Sequence, residues 1–266
     1  MKRSLGRQET QLLAYLQLRK QRTVRTGDLR RPLQLTAQQE RELFGRMARG
    51  GLIARVRPGL YLVPAQLPLG GSWSPDEGLA LNTLMADRQG RYQICGPNAF
   101  NRYGFDEQVP IQVYAYNDKV SGLRTIGSVE LRLIKVDVRR LGDVERARTA
   151  DGGAAVYSSR VRTLVDAVYD WARFNSLPRA FGWIRGDLDA RRIDPAALVR
   201  LALRFGDVGT RRRLGVLLAQ IGVAEALLRK IERSLPRSTG LIPWIPTRPK
   251  RGTIDRRWGV VVNDGA

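Results

Sequence analysis

The chain of 266 residues contains no histidine and a single cysteine, Cys95. Without histidine there is no Ser-His or Cys-His nucleophile and no His-containing metal site. One cysteine excludes a disulfide within the chain and any Cys-cluster zinc or iron–sulfur site, and a reducing, cytoplasmic setting is expected. No apolar run approaches the roughly 20 residues that a membrane span needs. Leu12 and Leu13 come too early, among Arg, Gln and Lys, for a secretory leader. No Gly-rich loop follows a strand in the P-loop or dinucleotide pattern. Neither a membrane partner nor a cofactor is therefore expected.

Acid is the other shortage. The chain has 25 Asp+Glu against 46 Lys+Arg, a net charge of +21. Such a surface attracts polyanions, nucleic acid first. The charge is unevenly spread. Residues 1–64 carry 14 Lys+Arg and 4 Asp+Glu, residues 65–157 carry 11 of each, and residues 158–266 carry 21 and 10. Two basic regions flank a neutral middle. Forty of the cations are Arg, which fits phosphate forks and equally an Arg-rich codon usage.

The first basic region is the most legible. Leu5, Glu9, Leu12, Leu13 and Leu16 share one side of a helix running to about Gln21. Thr23 to Thr26 is short and β-branched, and Thr26-Gly27-Asp28-Leu29 reads as a turn opening a second short helix. Thr36-Ala37-Gln38-Gln39 is a capping box for a third helix ending near Arg49, with Gly50-Gly51 as its stop. Residues 52–57, Pro58-Gly59 and Leu60 to Val63 then form a hairpin. Helices followed by a basic hairpin are the plan of a winged helix-turn-helix over residues 1–66.

Candidate contacts follow from the wheel of the third helix. Glu40, Leu43, Phe44 and Met47 face inward, and Gln38, Arg41, Glu42, Arg46 and Arg49 are left for DNA. Gln and Arg are the types that read adenine and guanine edges. Arg55 and Arg57, beside the Pro-Gly tip, and Arg25 suit phosphate or minor-groove contact. The plainer alternative is a solvated helix face and the outward residues of an alternating strand.

Leu67 to Trp73 is a Pro/Gly-rich junction, placed here as the domain boundary. Ser74-Pro75-Asp76-Glu77 reads as a helix start with Ser74 as cap. Strands are expected at 92–95, 111–116 and 129–136, with a polar loop joining the last two and a short strand at Val156-Tyr157. From Ser158 onward the pattern is helical to about residue 234, then Pro-rich, with a last strand over 258–263. The expected fold class is α+β. An N-terminal winged helix-turn-helix precedes a larger domain over 74–266, whose first part (74–157) carries a small sheet and whose second (158–266) is mainly helical. The larger domain is long enough for a core of its own and is expected to fold without the winged helix.

Two clusters invite stronger claims. Asp118 with Glu130-Leu131-Arg132 is the nearest approach to a nuclease carboxylate set, but Arg stands where a Lys base is wanted. In Arg211-Arg212-Arg213 the side defined by Leu214, Leu217, Leu218 and Ile221 is buried, so Arg212 lies outward and Arg213 is expected to lay its stem on the core and pair with an acid. Arg212, Arg248, Lys250, Arg251 and Arg256 are further candidates for nucleic-acid contact.

Five segments together resemble the AbiEi family of bacterial antitoxins, from abortive-infection type IV toxin–antitoxin systems. They are Gly51-Leu52-Ile53 with Pro58-Gly59-Leu60-Tyr61; Tyr92 to Phe105; Ser159-Arg160-Val161-Arg162-Thr163-Leu164-Val165-Asp166; Arg213 to Leu218 with Ile221-Gly222; and Arg257 to Asn263. Arg160 departs from the family, which more often has an acid there. The resemblance implies a non-enzymatic antitoxin and repressor. Its winged helix would bind inverted repeats in its own promoter. No leucine-zipper-like heptad argues for an obligate dimer, so self-association of monomers on the DNA is expected. Its C-terminal domain would neutralise a nucleotidyltransferase-like toxin without a stable complex. Other classes remain open: a nuclease or other DNA-processing enzyme targeted by a winged helix, or a ligand-sensing transcription regulator with no toxin.

Overall fold

A computed structural model describes residues 5–66, 72–149, 152–237 and 240–264. Among them the chain forms ten α-helices and three β-sheets, a mixed α+β fold divided into two compact units. The first unit takes the described residues of Met1–Ile94, Pro110–Leu141 and Glu145–Tyr157; the second takes Cys95–Val109, Gly142–Val144 and the described residues of Ser158–Ala266.

The first unit begins with α1 (Arg7–Leu18), β1 (Thr23–Arg25), α2 (Ala37–Arg49), β2 (Ala54–Arg57) and β3 (Leu60–Leu62). The three strands form an antiparallel sheet in the order β1-β3-β2. The capping box is present: Thr36 Oγ1 accepts from the Gln39 amide at 3.2 Å, and Gln39 Oε1 accepts from the Thr36 amide at 2.9 Å. Residues 26–34 are a run of turns, not the second helix expected there. Gly27, at φ +109°, and Pro32 break the repeat, and the segment is held by a side chain instead. Glu40, fully buried on α2, accepts the Gly27 amide at 2.8 Å and the Leu29 amide at 3.1 Å.

The unit continues with α3 (Glu77–Asp87), β4 (Tyr92–Ile94), β5 (Gln112–Asn117), β6 (Gly122–Ile126), β7 (Val129–Lys135), β8 (Val144–Arg148) and β9 (Ala154–Ser158). These strands make one sheet in the order β6-β7-β5-β4-β9-β8. The β5–β7 and β4–β9 pairs are parallel. The cap of α3 is Asp76, which accepts from the Leu79 amide at 2.7 Å. Ser74, expected in that role, is taken by Ser128, whose amide donates to Ser74 Oγ at 2.8 Å. The polar loop expected between β5 and β7 contains β6, whose outward residues hide its alternation.

Two cores run through this unit. One joins Leu12, Leu13 and Leu16 of α1 to Leu43, Phe44 and Met47 of α2, with Ile53, Tyr61 and Val63. The other takes the opposite face of the small sheet, Ala54, Val56, Leu60 and Leu62. It packs them with Leu81, Leu84 and Met85 of α3 and with Ile94, Ile126 and Leu131 of the large sheet. The small sheet is thus sandwiched, and the junction read as a domain boundary does not separate two cores. Residues 67–71 of that junction lie outside the described residues.

The second unit holds α4 (Pro97–Arg102), α5 (Arg160–Tyr169), α6 (Trp171–Phe174), α7 (Arg179–Asp189), α8 (Pro195–Phe205), α9 (Val208–Ile221) and α10 (Glu225–Arg233). It also holds β10 (Ile242–Pro243), β11 (Thr253–Asp255) and β12 (Val260–Val262), a sheet in the order β10-β12-β11. The helix expected from Ser159 to Phe174 is interrupted at Asp170. Buried α5 packs on α7, α8 and α9. Its Arg162 is fully buried, bonded to Asp166 at 2.9 Å, with its guanidinium 3.6 Å above the Phe205 ring. Arg160, the departure from the family pattern, forks onto Asp187 at 2.6 and 2.7 Å, and Arg192 joins the same carboxylate at 2.7 Å.

Candidate nucleic-acid interface

The exposed side of α2 presents Gln38, Arg41, Glu42, Arg46 and Arg49, all solvent-exposed. They are outward because Glu40, Leu43, Phe44 and Met47 fill the inner side. Gln38 Nε2 donates to Glu42 Oε1 at 3.0 Å, one turn on. Arg41, Arg46 and Arg49 have no ion pair among the described residues. Phe44 meets Tyr61 of β3 at a ring separation of 4.9 Å, which ties the helix to the hairpin.

The hairpin separates its two arginines. Simple alternation would put Arg55 and Arg57 on one face. A bulge falls between them: Arg55 opposes Tyr61, and Arg57 opposes Leu60. Arg55 stays exposed with no ion pair among the described residues. Arg57 is turned to the face of Leu60, where α3 packs. On the other side of β3, Arg25 opposes the same Leu60. The two arginines therefore flank Leu60 on one face, and Asp87, the last residue of α3, receives both. Arg57 donates to it from Nε at 2.6 Å and Nη2 at 2.8 Å, and Arg25 donates from Nη2 at 2.9 Å. The third nitrogen of Arg57, Nη1, donates to the Pro58 carbonyl at 2.8 Å. Hydrogen bonding from Arg57 comes first among the causes that hold the Asp87 carboxyl down at about 2. Arg25 and Arg57, read from sequence as DNA contacts, are thus engaged within the protein. Asp87 gave no sequence signal beyond being an acid at a helix end.

In the second unit the candidate cations divide. Arg212 was expected to face outward and is buried, 3% exposed. Its Nε donates to the Trp258 carbonyl at 2.6 Å and its Nη2 to the Gly259 carbonyl. The cause is the C-terminal sheet: β12 and the residues before it cover the side of α9 that the wheel left open. Arg213 is also inside, as its flank position suggested, but its Nε donates to the Trp244 carbonyl at 3.2 Å, where an acid was expected. Burial lowers the pKa of both groups. Arg248, Lys250, Arg251 and Arg256 are exposed. Arg248 Nη1 donates to the Asp264 carbonyl at 2.8 Å, and Lys250 Nζ donates to the Leu241 carbonyl.

Asp118 and Glu130 do not meet. Glu130 opposes Gln112 at the start of the β5–β7 ladder, whereas Asp118 follows Asn117 at its far end. At about 3.3 Å per residue they are roughly 20 Å apart. Asp118 Oδ1 accepts the Arg91 amide at 2.8 Å.

No family model matches the chain, and no curated protein does. Among solved structures, the Rv2827c protein from Mycobacterium tuberculosis is similar. It superposes with a TM-score of 0.62 at 16% identity, over 97% of this chain and 92% of that one. The likeness shows a shared fold over nearly the whole length.

The burial of Arg212 has a measurable consequence. Arg212→Gln is expected to lower the melting temperature by leaving two carbonyls short of a donor, each about 1–3 kcal/mol. The salt dependence of any nucleic-acid binding should not change. A weaker salt dependence with an unchanged melt would return Arg212 to the surface.

Proposed function

We propose that residues 5–66 form a winged helix-turn-helix that binds duplex DNA, with α2 in the major groove and the β2–β3 hairpin as the wing. The observation that carries this is the outward side of α2. Gln38 and three arginines without acidic partners stand on one rigid helix, beside a hairpin whose exposed Arg55 suits phosphate. A DNA-binding surface needs cations that the protein has not already neutralised, and base reading needs side chains on a helix that fits the groove. Of the cations first assigned to this surface, Arg41, Arg46, Arg49 and Arg55 remain available in this way.

Taken with the resemblance to AbiEi antitoxins, the fuller reading is an autoregulatory repressor of a type IV toxin–antitoxin operon. The larger remainder of the chain then acts against a nucleotidyltransferase-like toxin. A neighbouring nucleotidyltransferase gene, and growth rescue on co-expression with it, test that half.

The DNA half is tested by mobility shift on the region upstream of its own operon and on a random duplex across a salt series. Affinity should fall steeply with salt, by a slope of about 0.9 per phosphate contacted. Gln38→Ala and Arg41→Ala should each narrow the gap between operator and random DNA by about 1–3 kcal/mol. Arg55→Ala should weaken both DNAs alike. Absence of binding at low salt would end the proposal, and equal losses on both DNAs from all three variants would remove the assigned roles.

A further inference from the structure

We propose that Asp87 acts as an internal phosphate mimic at the wing, holding the fork edge of Arg57 and one nitrogen of Arg25 so that DNA is bound without them. This rests on the DNA-binding reading above and specifies which cations of that surface count.

The geometry is that of an arginine fork on an anion. A phosphate would take the Nε and Nη2 edge of a guanidinium through two parallel bonds. In Arg57 that edge is filled by the two carboxylate oxygens of Asp87, at 2.6 and 2.8 Å. The remaining nitrogen, Nη1, donates to the Pro58 carbonyl, so each nitrogen of Arg57 has a partner within the protein. Arg25 gives Nη2 to the same carboxylate at 2.9 Å.

The site is built by the fold. The register places Arg25, Leu60 and Arg57 in one row across the three strands, and the bulge brings Arg57 into that row. The last residue of α3 then closes on it. The Asp87 side chain is only 7% exposed, while those of Arg25 and Arg57 are 56% and 31% exposed. A carboxylate whose two oxygens already accept three charge-assisted bonds gives up its partners to a solvated phosphate only at a cost. The arginines are at the surface, but their charge is committed. Two cations and one anion leave a net +1 where the sequence alone promises +2.

The test uses the full chain and the slope of affinity against salt. Asp87→Asn keeps the shape of the side chain and removes the charge. It should steepen the slope on random duplex by about 0.9 for each arginine released, hence by about 1.8. Adding Arg57→Gln to Asp87→Asn should return about 0.9 of that increment. Thermal melts establish that each variant is folded at the assay temperature.

A second measurement needs no variant. The ¹⁵Nε resonance of Arg57 in the wild-type protein should stay in place when saturating duplex is added. An unchanged slope in Asp87→Asn, or a shifted Arg57 signal on DNA, would overturn the inference, because the arginines would then already reach the DNA in the wild type. Absence of salt-dependent binding by the wild-type protein is a different result, and it removes the DNA-binding reading itself.

Discussion

Glu40→Ala is expected to cost about 3 kcal/mol of folding stability and to lower the proposed DNA binding with it. Glu40 is a charged residue with no exposed surface, and it sits among Leu43, Phe44 and Met47 on the inner side of α2. Its carboxylate accepts the Gly27 amide through both oxygens, at 3.0 and 2.8 Å, and the Leu29 amide at 3.1 Å. Arg30 Nε adds a fourth bond at 3.1 Å. Hydrogen bonds to a charged group are worth about 1.5–3 kcal/mol each, and breaking a buried ion pair costs about 3–5 kcal/mol. Arg30 is 44% exposed, so its electrostatic share is screened. The Gly27 amide regains water, which leaves the lower end of that range. The loss is local in cause. Residues 26–34 have no helix of their own, and the carboxylate fixes where they enter α2. Glu40→Gln should fall between, since one of its terminal atoms is a donor facing other donors. Urea melts of the three proteins check the order. An alanine variant within about 0.5 kcal/mol of wild type would mean that the turns are held by other contacts.

The elements that could be read directly were those with local causes. The capping box at Thr36 and Gln39, the Gly50-Gly51 stop and the Pro58-Gly59 turn each act within a few residues, and the structure has α2 and the hairpin where they point. The helices after residue 178 followed from apolar periodicity for the same reason. What was missed depends on partners far along the chain. Ser74 has good capping chemistry, but Ser128 takes its hydroxyl and Asp76 caps instead. The strands β6 and β8 show little alternation because most of their residues are at least partly exposed. Arg212 looked outward because nothing near it in sequence announces that Trp258 and Gly259 will cover it. The separation of Arg55 from Arg57 turns on one bulged residue, Val56, which is apolar and unremarkable in the sequence. The exposed side of α2 was therefore legible, and the committed state of Arg25 and Arg57 was not.

A fragment beginning at Ser74 is expected to lose its cooperative melt, although its length alone would support a core. Ala54, Val56, Leu60 and Leu62 lie within the second core of the first unit, each at most 5% exposed, against Leu81, Leu84 and Met85 of α3 and Leu131 of β7. Deleting them leaves that helix face and that part of the sheet without a cover. Burial of a large apolar side chain is worth about 1.5–3 kcal/mol, and Val56, Leu60 and Leu62 are three such side chains. The loss, about 5–9 kcal/mol before any collapse, is comparable to the whole stability of an ordinary domain, about 5–15 kcal/mol. Asp87 would also lose both of its arginines. Circular dichroism should show retained helix with a broad, weak transition, and a hydrophobic dye should bind the fragment more than the full chain. A sharp melt near that of the full chain would show that the small sheet is dispensable and restore the junction at 67–73 as a true boundary. If the fragment fails as expected, the two proposed activities cannot be parted by truncation. The full chain carrying Arg41→Ala, Arg46→Ala and Arg49→Ala is then the protein to co-express with the toxin that the proposed function calls for. Those three side chains are exposed and bear on neither core of the first unit, so the proposed DNA binding should fall while the fold stands. Rescue of growth by that variant would assign neutralisation to surfaces other than α2, and loss of rescue with an unchanged melt would tie neutralisation to DNA.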